Sequence, residues 1–192
     1  YGNTAGGQYA AICGGSGNSV SNSLSFIGGG YQNAVVGQRS VIAGGQNNIV
    51  EGDFAVVVGG TSNSASTSSS FIGGGGSNLA ASAYTVIGGG SGNMAGDSYA
   101  VVAGGLDNVA TGTNSVITGG DGNTIGVGGG YSTICGGQDN DVTGGYSIAV
   151  GGKGNVVSEG YSLAAGLNAV ADTPGSFAWS DNSVSTQVRT SD

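Results

Sequence analysis

The sequence repeats itself about every fifteen residues, and this repeat constrains the fold more than any other feature. Eight copies of fifteen residues run without a gap from Tyr1. A ninth copy, residues 121–137, carries two extra residues, and two further copies follow in register. A shorter twelfth copy contains the only proline, Pro174. Self-similarity at a fixed short period is typical of solenoids, in which each repeat stacks on its neighbours.

Position three of the repeat, counted from the first residue of each copy, is Asn in every copy. An Asn at a solenoid corner can stack on its neighbours and hydrogen-bond from one coil to the next, which satisfies backbone groups of the turn. We place Asn168 at this position in the twelfth copy. The pattern predicts a structural ladder formed by Asn3, Asn18, Asn33, Asn48, Asn63, Asn78, Asn93, Asn108, Asn123, Asn140 and Asn155.

Positions five and twelve are restricted to Ala, Val and Ile, as at Val50 and Ile72. Positions fourteen and fifteen are almost always Gly-Gly, a pair that allows positive φ and a tight corner. Two short strands with inward apolar residues and two corners complete one coil. We therefore predict an all-β fold, a parallel β-solenoid of about twelve coils over residues 1–181, with residues 182–192 as an extension leading out of it.

Position eleven, beside the inward position twelve, is apolar through almost the whole chain. If neighbours alternate along a strand, position eleven faces outward, whereas the outward positions four and six are mixed and polar, as at Ser64 and Glu51. A continuous apolar stripe is typical of an interface, and a closed cyclic homo-oligomer would cover it. A bend that buries both positions within one chain is the alternative. The predicted oligomer interface consists of Phe26, Val41, Val56, Phe71, Val86, Val101, Val116, Ile148 and Leu163.

The composition excludes several classes of fold and partner. Gly accounts for 44 of 192 residues without recurring at every third position, and Pro occurs once, which excludes collagen. Only 7% of residues are charged while Val and Ile recur throughout, which argues against disorder. With a net charge of −8 and only three basic residues, the chain is not expected to bind nucleic acid or an anionic membrane. No apolar run is long enough for insertion into a bilayer.

Side chains suited to catalysis are missing. There is no His, which removes the commonest general base and most zinc sites. The Gly-Gly motifs are not followed by Gly-Lys-Ser/Thr, so they are not phosphate-binding loops. No carboxylate pair stands out as a glycosidase centre. We therefore predict that the chain is not an enzyme and needs no cofactor.

Calcium is the one cation for which the sequence offers ligands. Asp107, Asp121 and Asp139 lie near the same corner of three successive copies, with Asp141 close by, and calcium prefers oxygen ligands. Solvated corner carboxylates are the alternative interpretation. The repeat is not the Gly-rich nonapeptide calcium motif, because Asp does not recur in every copy.

Position nine carries a row of aromatic residues. Tyrosines in three consecutive copies, the ninth to the eleventh, predict a ladder. Exposed aromatic rows suit sugar stacking or protein contact, whereas corner packing with the hydroxyl in water is the alternative. The candidate glycan or partner strip comprises Tyr84, Tyr99, Tyr131, Tyr146 and Tyr161.

The two cysteines, Cys13 and Cys135, both occupy position thirteen but lie eight copies apart. At the usual strand spacing that is about 38 Å, far beyond the reach of a disulfide within one rod. We expect two small buried thiols, with pairing between chains as the alternative.

Residues 40–50 (SVIAGGQNNIV) and 115–125 (SVITGGDGNTI) resemble the head repeats of trimeric autotransporter adhesins, whose motif runs Ser-Val-Ala-Ile-Gly followed by alternating Ala. The resemblance covers nearly the whole chain, although the period here is slightly longer and the doubled Gly and fixed Asn are additional. In that family the repeats form left-handed parallel β-rolls that trimerise, and the head binds host matrix or other cells. The resemblance therefore implies a left-handed roll and a homotrimer.

The stretch 175–192 (GSFAWSDNSVSTQVRTSD) is similar to segments that close repeat arrays in phage-type tail fibres and bacterial surface proteins, where a stalk or a self-cleaving intramolecular chaperone follows. These resemblances imply an extracellular, cell-surface or virion-fibre location, with any signal or anchor outside this chain. We expect a structural and adhesive rod, the head or shaft of a homotrimeric fibre that attaches to a host or cell-surface protein or glycan. A glycan-binding module and a filament stacked end to end are the alternatives.

Overall fold

The computed structural model describes residues 2–181 of the chain. Regular structure within these residues consists of short β-strands, and the fold is a parallel β-solenoid of about twelve coils, which confirms the predicted fold class. The extension assigned to residues 182–192 lies outside the described residues. The chain forms two compact units, Tyr1–Ala95 and Gly96–Asp192, built from the same type of coil.

In the first unit each coil contributes one strand to each of two parallel sheets, and every strand pairs with its counterpart one coil further on. The first sheet consists of β1 (Thr4–Ala5), β3 (Ser19–Val20), β5 (Ala34–Val35), β7 (Ile49–Val50), β9 (Ser64–Ala65), β11 (Leu79–Ala80) and β13 (Met94–Ala95). The second sheet consists of β2 (Ala11–Ile12), β4 (Phe26–Ile27), β6 (Val41–Ile42), β8 (Val56–Val57), β10 (Phe71–Ile72) and β12 (Val86–Ile87).

The second unit repeats this arrangement, with longer strands in its last coils. Its first sheet consists of β15 (Val109–Ala110), β17 (Thr124–Ile125), β19 (Asp141–Val142), β21 (Val156–Val157) and β23 (Val170–Ala171). Its second sheet consists of β14 (Val101–Val102), β16 (Val116–Ile117), β18 (Thr133–Ile134), β20 (Ile148–Lys153), β22 (Leu163–Leu167) and β24 (Phe177–Ser180).

The chain turns between the two sheets at positions two and nine of the repeat, where φ is positive. Non-glycine residues at position nine, such as Arg39 and Tyr146, have φ between 54° and 61°, and those at position two, such as Asn47, have φ between 51° and 58°. This left-handed conformation costs a bulky residue roughly 1 kcal/mol. Since most coils adopt it with a side chain present, the stacking of successive coils must outweigh that local cost.

Glycine is required at position fifteen by both conformation and space. At Gly45, φ is +98°, and a Cβ atom would lie 2.3 Å from the carbonyl oxygen of Gly60 in the next coil. The same Cβ would lie 2.6 Å from Nδ2 of Asn48. The Gly-Gly corner therefore lets the backbones of adjacent coils approach closely enough for the Asn side chains to bridge them.

The interior of each coil is lined by four positions, of which two are polar. From the second coil onward, positions five and twelve are at most 1% exposed, as are the Asn side chains at position three. Position ten, which holds Ser, Ala or Thr, is also buried, at most 8% exposed. The largest side chains buried in this narrow core are Ile and Val, so hydrogen bonds between coils must stabilise it alongside apolar packing.

The Asn side chains at position three use their full hydrogen-bonding capacity. In Asn33, Nδ2 donates to the carbonyl oxygen of Gly29 at 3.1 Å and to that of Gly45 at 2.8 Å. Its Oδ1 accepts from the backbone N–H of Asn48 at 3.0 Å and from Nδ2 of Asn48 at 3.1 Å. Each Asn thus satisfies both its own corner and the coil that follows.

The ladder ends in the twelfth coil, where one expectation from the sequence was wrong. Position three there is Ala169, whose backbone N–H donates to Oδ1 of Asn155 at 2.9 Å. Asn168 lies at position two, with a φ of 55°. The shift arises because the eleventh coil is one residue short, so that Leu167 pairs with Lys153 and opens the last coil.

A second internal ladder, of Ser hydroxyls at position ten, was not anticipated. Ser147 Oγ donates to the carbonyl oxygen of Glu159 at 3.0 Å and accepts from the backbone N–H of Ser162 at 3.0 Å. In the first unit, Ser40 Oγ likewise donates to Gly52 and accepts from the N–H of Ala55. The restriction of position ten to small residues was the available signal in the sequence.

The two extra residues of the ninth coil are accommodated at a corner. Gly129 N–H donates to the carbonyl of Gly126 at 2.8 Å, and Val127 projects outward with 81% of its surface exposed. Thr133 nevertheless pairs with Val116, as the repeat requires. Ser115, in the coil before the insertion, does not continue the Ser ladder: its buried hydroxyl has no hydrogen-bond partner.

We expect Asn63→Ala to lower the free energy of unfolding by about 3 kcal/mol or more, since several buried polar groups lose their partners at once. Guanidinium denaturation measures this effect. Asn3→Ala is the matched control: Asn3 is exposed, so water can replace its bonds, and the loss should be smaller. Equal losses for the two variants would contradict a stabilising role for the buried ladder.

Ser115→Ala tests the second ladder, because the buried Ser115 hydroxyl has no hydrogen-bond partner. Removing an unsatisfied buried hydroxyl should leave stability unchanged or raise it by about 1 kcal/mol. Ser147→Ala, the matched variant, should lower it by about 1–3 kcal/mol, because the N–H of Ser162 loses its acceptor. The same denaturation assay distinguishes them, and a destabilised Ser115→Ala variant would count against this account.

Candidate functional site

The outer face of the second sheet carries the stripe predicted at position eleven. In the first unit, Phe26 and Phe71 are 36% and 37% exposed, and the valines between them are half-buried. In the second unit, Ile148 is 39% and Phe177 is 52% exposed. Position twelve is fully buried in both units beyond the first coil. The strands therefore alternate, and the alternative in which one chain buries both positions is wrong.

Position thirteen widens this apolar face. It is small in most coils, but Val58, Val150 and Trp179 occupy it with about half of their surfaces exposed, at 46%, 48% and 53%. Neither position eleven nor position thirteen carries a charged residue in any copy of the repeat. We call positions eleven and thirteen of the second sheet the apolar face. Its chemistry suits contact with another apolar surface more than binding of a polar ligand.

The outer face of the first sheet mixes apolar and polar side chains. Position four includes Ile49, 41% exposed, and the half-buried Leu79 and Met94. It also includes polar side chains such as Ser64 and Asp141. The two outer faces therefore differ chiefly in their polar residues. Polar and charged side chains occur at position four on the first sheet, and they are nearly absent from the apolar face.

Asp141 is the described carboxylate with a resolved pKa shift. Its strand, β19, pairs with β17 and β21, which place Thr124 and Val156 on either side of it. Desolvation by burial raises the pKa of the Asp141 carboxyl above its ordinary value. The ionised form is therefore less favourable in the folded chain than in the unfolded chain.

Asp141→Asn should consequently stabilise the chain at pH 7. The Asp141 carboxyl keeps its proton to a higher pH in the folded state than in the unfolded state. The free energy of unfolding therefore falls as pH rises from the ordinary pKa of this carboxyl to its raised pKa. The gain from the substitution should vanish near about pH 3, where the carboxyl is protonated in both states. Denaturation at several pH values measures it, with Asp107→Asn at an exposed corner as baseline. A variant less stable than the parent at pH 7 would contradict this.

The tyrosines at position nine stand out from the surface. Tyr131, Tyr146 and Tyr161 are 57%, 55% and 73% exposed. The rings of Tyr131 and Tyr146 stack with centroids 4.9 Å apart, and those of Tyr146 and Tyr161 with centroids 5.3 Å apart, nearly parallel in both cases. Both faces of the Tyr146 ring are thus covered by neighbouring rings. A sugar could stack only at the ends of this ladder, while ring edges and hydroxyls face solvent along its length.

The remaining members of the candidate strip lie in the same position of other coils. Tyr84 is 53% exposed in the first unit, and Tyr99 is 52% exposed in the second. Elsewhere at position nine, the Arg39 guanidinium lies 5.3 Å above the ring centre of Phe54, a cation–π contact. Position nine therefore presents aromatic groups in both units, but the stack of three tyrosines belongs to the second.

The candidate calcium ligands are not gathered into a cluster. Asp107 and Asp139 lie at position two and Asp121 at position one of their coils, and Asp121 is also contacted by Gln138 through Nε2 at 3.5 Å. Within residues 2–181 no group of three or more His, Cys, Asp or Glu side chains is placed to hold a metal ion.

An open depression of about 480 Å³ lies on the first unit. Its polar lining consists of Glu51, Asp53, Ser66, Thr67 and Ser68. The Oγ1 atom of Thr67 is buried without a hydrogen-bond partner. Two carboxylates with several hydroxyls suit a polar or cationic small molecule, but the lining contains no basic residue or thiol.

Both cysteines are free and exposed, which corrects the expectation of buried thiols. Cys13 and Cys135 lie at position thirteen, on the apolar face of the first and second unit respectively. They were expected to be buried because small residues dominate that position, but position thirteen faces outward.

A scan against protein-family models gives no match, and a search of curated protein sequences finds none either. Among the described residues, no helix has the length and apolar character needed to cross a membrane. The fold therefore defines the chain as a β-solenoid repeat protein, and its outer faces are the candidate functional sites.

Proposed function

We propose that this chain is a non-enzymatic structural and adhesive module of an extracellular fibre, in which copies associate through the apolar face of the second sheet. The observation that carries the proposal is the partly exposed, uncharged row at position eleven in both units. Water contact with such a row is unfavourable, by about 25 cal/mol for each Å² of apolar surface. A partner that covers the row is therefore the simplest account of its composition.

A second copy of the chain is the partner that fits best. Strands that pair coil by coil place position eleven at a regular spacing, as Phe71 pairs with Val56 and Val86. Another copy presents the same spacing, so its side chains can fit between the rows over many coils. Cyclic symmetry lets every copy cover its neighbour without leaving a free face. A homotrimer is the form suggested by the resemblance to trimeric adhesin heads.

The side chains available support attachment in place of catalysis. The sequence has no His and a single Lys, Lys153. The outer faces offer aromatic, aliphatic and hydroxyl groups, which suit binding to a protein or glycan on another surface. A solenoid provides such groups in repeated rows, so weak contacts add along its length. The head or shaft of a surface adhesin or virion fibre is the role that uses these properties.

Phe71→Lys tests the association of copies. Phe71 lies on β10 in the apolar face, and burying an unpaired charge there should convert the proposed trimer largely to monomer. Light scattering after size exclusion, or native mass spectrometry, measures the change. The matched control is Ile49→Lys on β7 of the first sheet, where a residue of similar exposure should tolerate the charge.

Three outcomes would be informative. A parent chain that is monomeric at micromolar concentration would overturn the proposal. Loss of association in both lysine variants would indicate that the first sheet, with Ile49, contributes equally to the interface. Long filaments in electron micrographs of the parent would instead support stacking of solenoid ends, because sheet edges remain available for pairing there.

A further inference from the structure

The tyrosine ladder of the second unit has a geometry suited to a covalent modification. We propose that Tyr131, Tyr146 and Tyr161 form a site of oxidative dityrosine cross-linking, in which a haem peroxidase with hydrogen peroxide joins the rings of consecutive coils. Neither the association of copies nor adhesion is needed for this chemistry. The inference rests on ring spacing, accessibility and the fixed backbone beneath the rings.

The rings are held next to each other before any reaction occurs. Their centroids are 4.9 Å apart for Tyr131 and Tyr146 and 5.3 Å apart for Tyr146 and Tyr161, with interplanar angles of 2° and 5°. Backbone hydrogen bonds fix this spacing, since the N–H of Tyr146 donates to Gly130 at 2.9 Å and that of Tyr161 to Gly145 at 3.0 Å. Radicals formed on neighbouring rings therefore meet without diffusion.

The rings are also open to an oxidant. Each of the three tyrosines is more than half exposed, and each follows a glycine at position eight. No side chain precedes the ring to shield its edge. The ring edges carry the carbon atoms ortho to the hydroxyl, at which phenoxyl radicals couple. Because the side chains extend into solvent, they can tilt to bring two ortho carbons together.

The reaction balances with peroxide as the oxidant. Each phenol loses one electron and one proton to give a phenoxyl radical. The two radicals form one carbon–carbon bond between their ortho carbons, and each ring then returns its ortho hydrogen to its oxygen. The two electrons and two protons released reduce one hydrogen peroxide to two water molecules, with cleavage of its O–O bond. The product is a bridge between consecutive coils.

The test uses the full chain, treated at low protein concentration with a haem peroxidase and hydrogen peroxide. Dityrosine fluorescence and mass spectrometry of digested chains measure the amount and position of bridges. We expect bridges between Tyr131 and Tyr146 or between Tyr146 and Tyr161. The bridged chain should also unfold at a higher guanidinium concentration than the untreated chain.

Tyr146→Phe removes the shared partner while keeping the ring and the fold. Tyr131 and Tyr161 are then about 10 Å apart at the usual strand spacing, so their participation in bridges should fall by about tenfold or more. Tyr9→Phe is the matched control, because Tyr9 occupies the same position but its neighbour one coil on is Leu24. This control should leave the bridges at Tyr131 and Tyr161 unchanged.

Two results would overturn the proposal. The first is a parent chain in which Tyr131 and Tyr161 remain unmodified or are joined only to other chains. The second is bridging of Tyr131 and Tyr161 that persists at parental levels in Tyr146→Phe. Circular dichroism of each variant establishes that the fold is intact. A loss of bridging can then be attributed to the change in the tyrosine ladder and not to unfolding of the chain.

Discussion

A coil of about fifteen residues encloses so little space that polar groups cannot be kept out of its interior. The structure depends on how these groups are satisfied. Buried Asn side chains at position three bond to corner glycines and to the Asn of the next coil, as Asn33 does with Gly29, Gly45 and Asn48. An unsatisfied amide in this core would cost a few kcal/mol, so the Asn and the Gly-Gly corner are needed together.

Satisfying the interior in this way leaves the outer positions free to vary. Position nine accepts Tyr, Leu, Arg, Phe, Ser or Asn in a left-handed conformation, because hydrogen bonds between coils hold the backbone there. Position eleven faces outward and needs no apolar side chain for the stability of one coil. The proposed association of copies rests on its apolar character in both units, and the proposed cross-linking rests on the tyrosine stack.

Much of the fold could be predicted because the repeat aligns equivalent residues. Position twelve was read as inward and position eleven as outward, and the exposure of Phe71 beside the buried Ile72 agrees with this. The errors arose where the period breaks or where side-chain size misled. A one-residue deletion moved Asn168 out of the ladder, and Cys135, small enough for a core, lies on the surface.

The sequence by itself determined the solenoid, its strands and its corners, because these depend on periodicity and on residue types that one coil imposes on the next. Beyond the Asn and Tyr ladders that the sequence predicted, only the tertiary structure decided the direction of side chains from different coils. It brought Ser147 and Ser162 into a second hydrogen-bonded ladder and turned the faces of Tyr146 toward its neighbours instead of solvent. The physical reason is that a shared position of the repeat specifies which residues of successive coils are adjacent. Hydrogen bonds and ring stacking also depend on the direction of each side chain in the assembled coils.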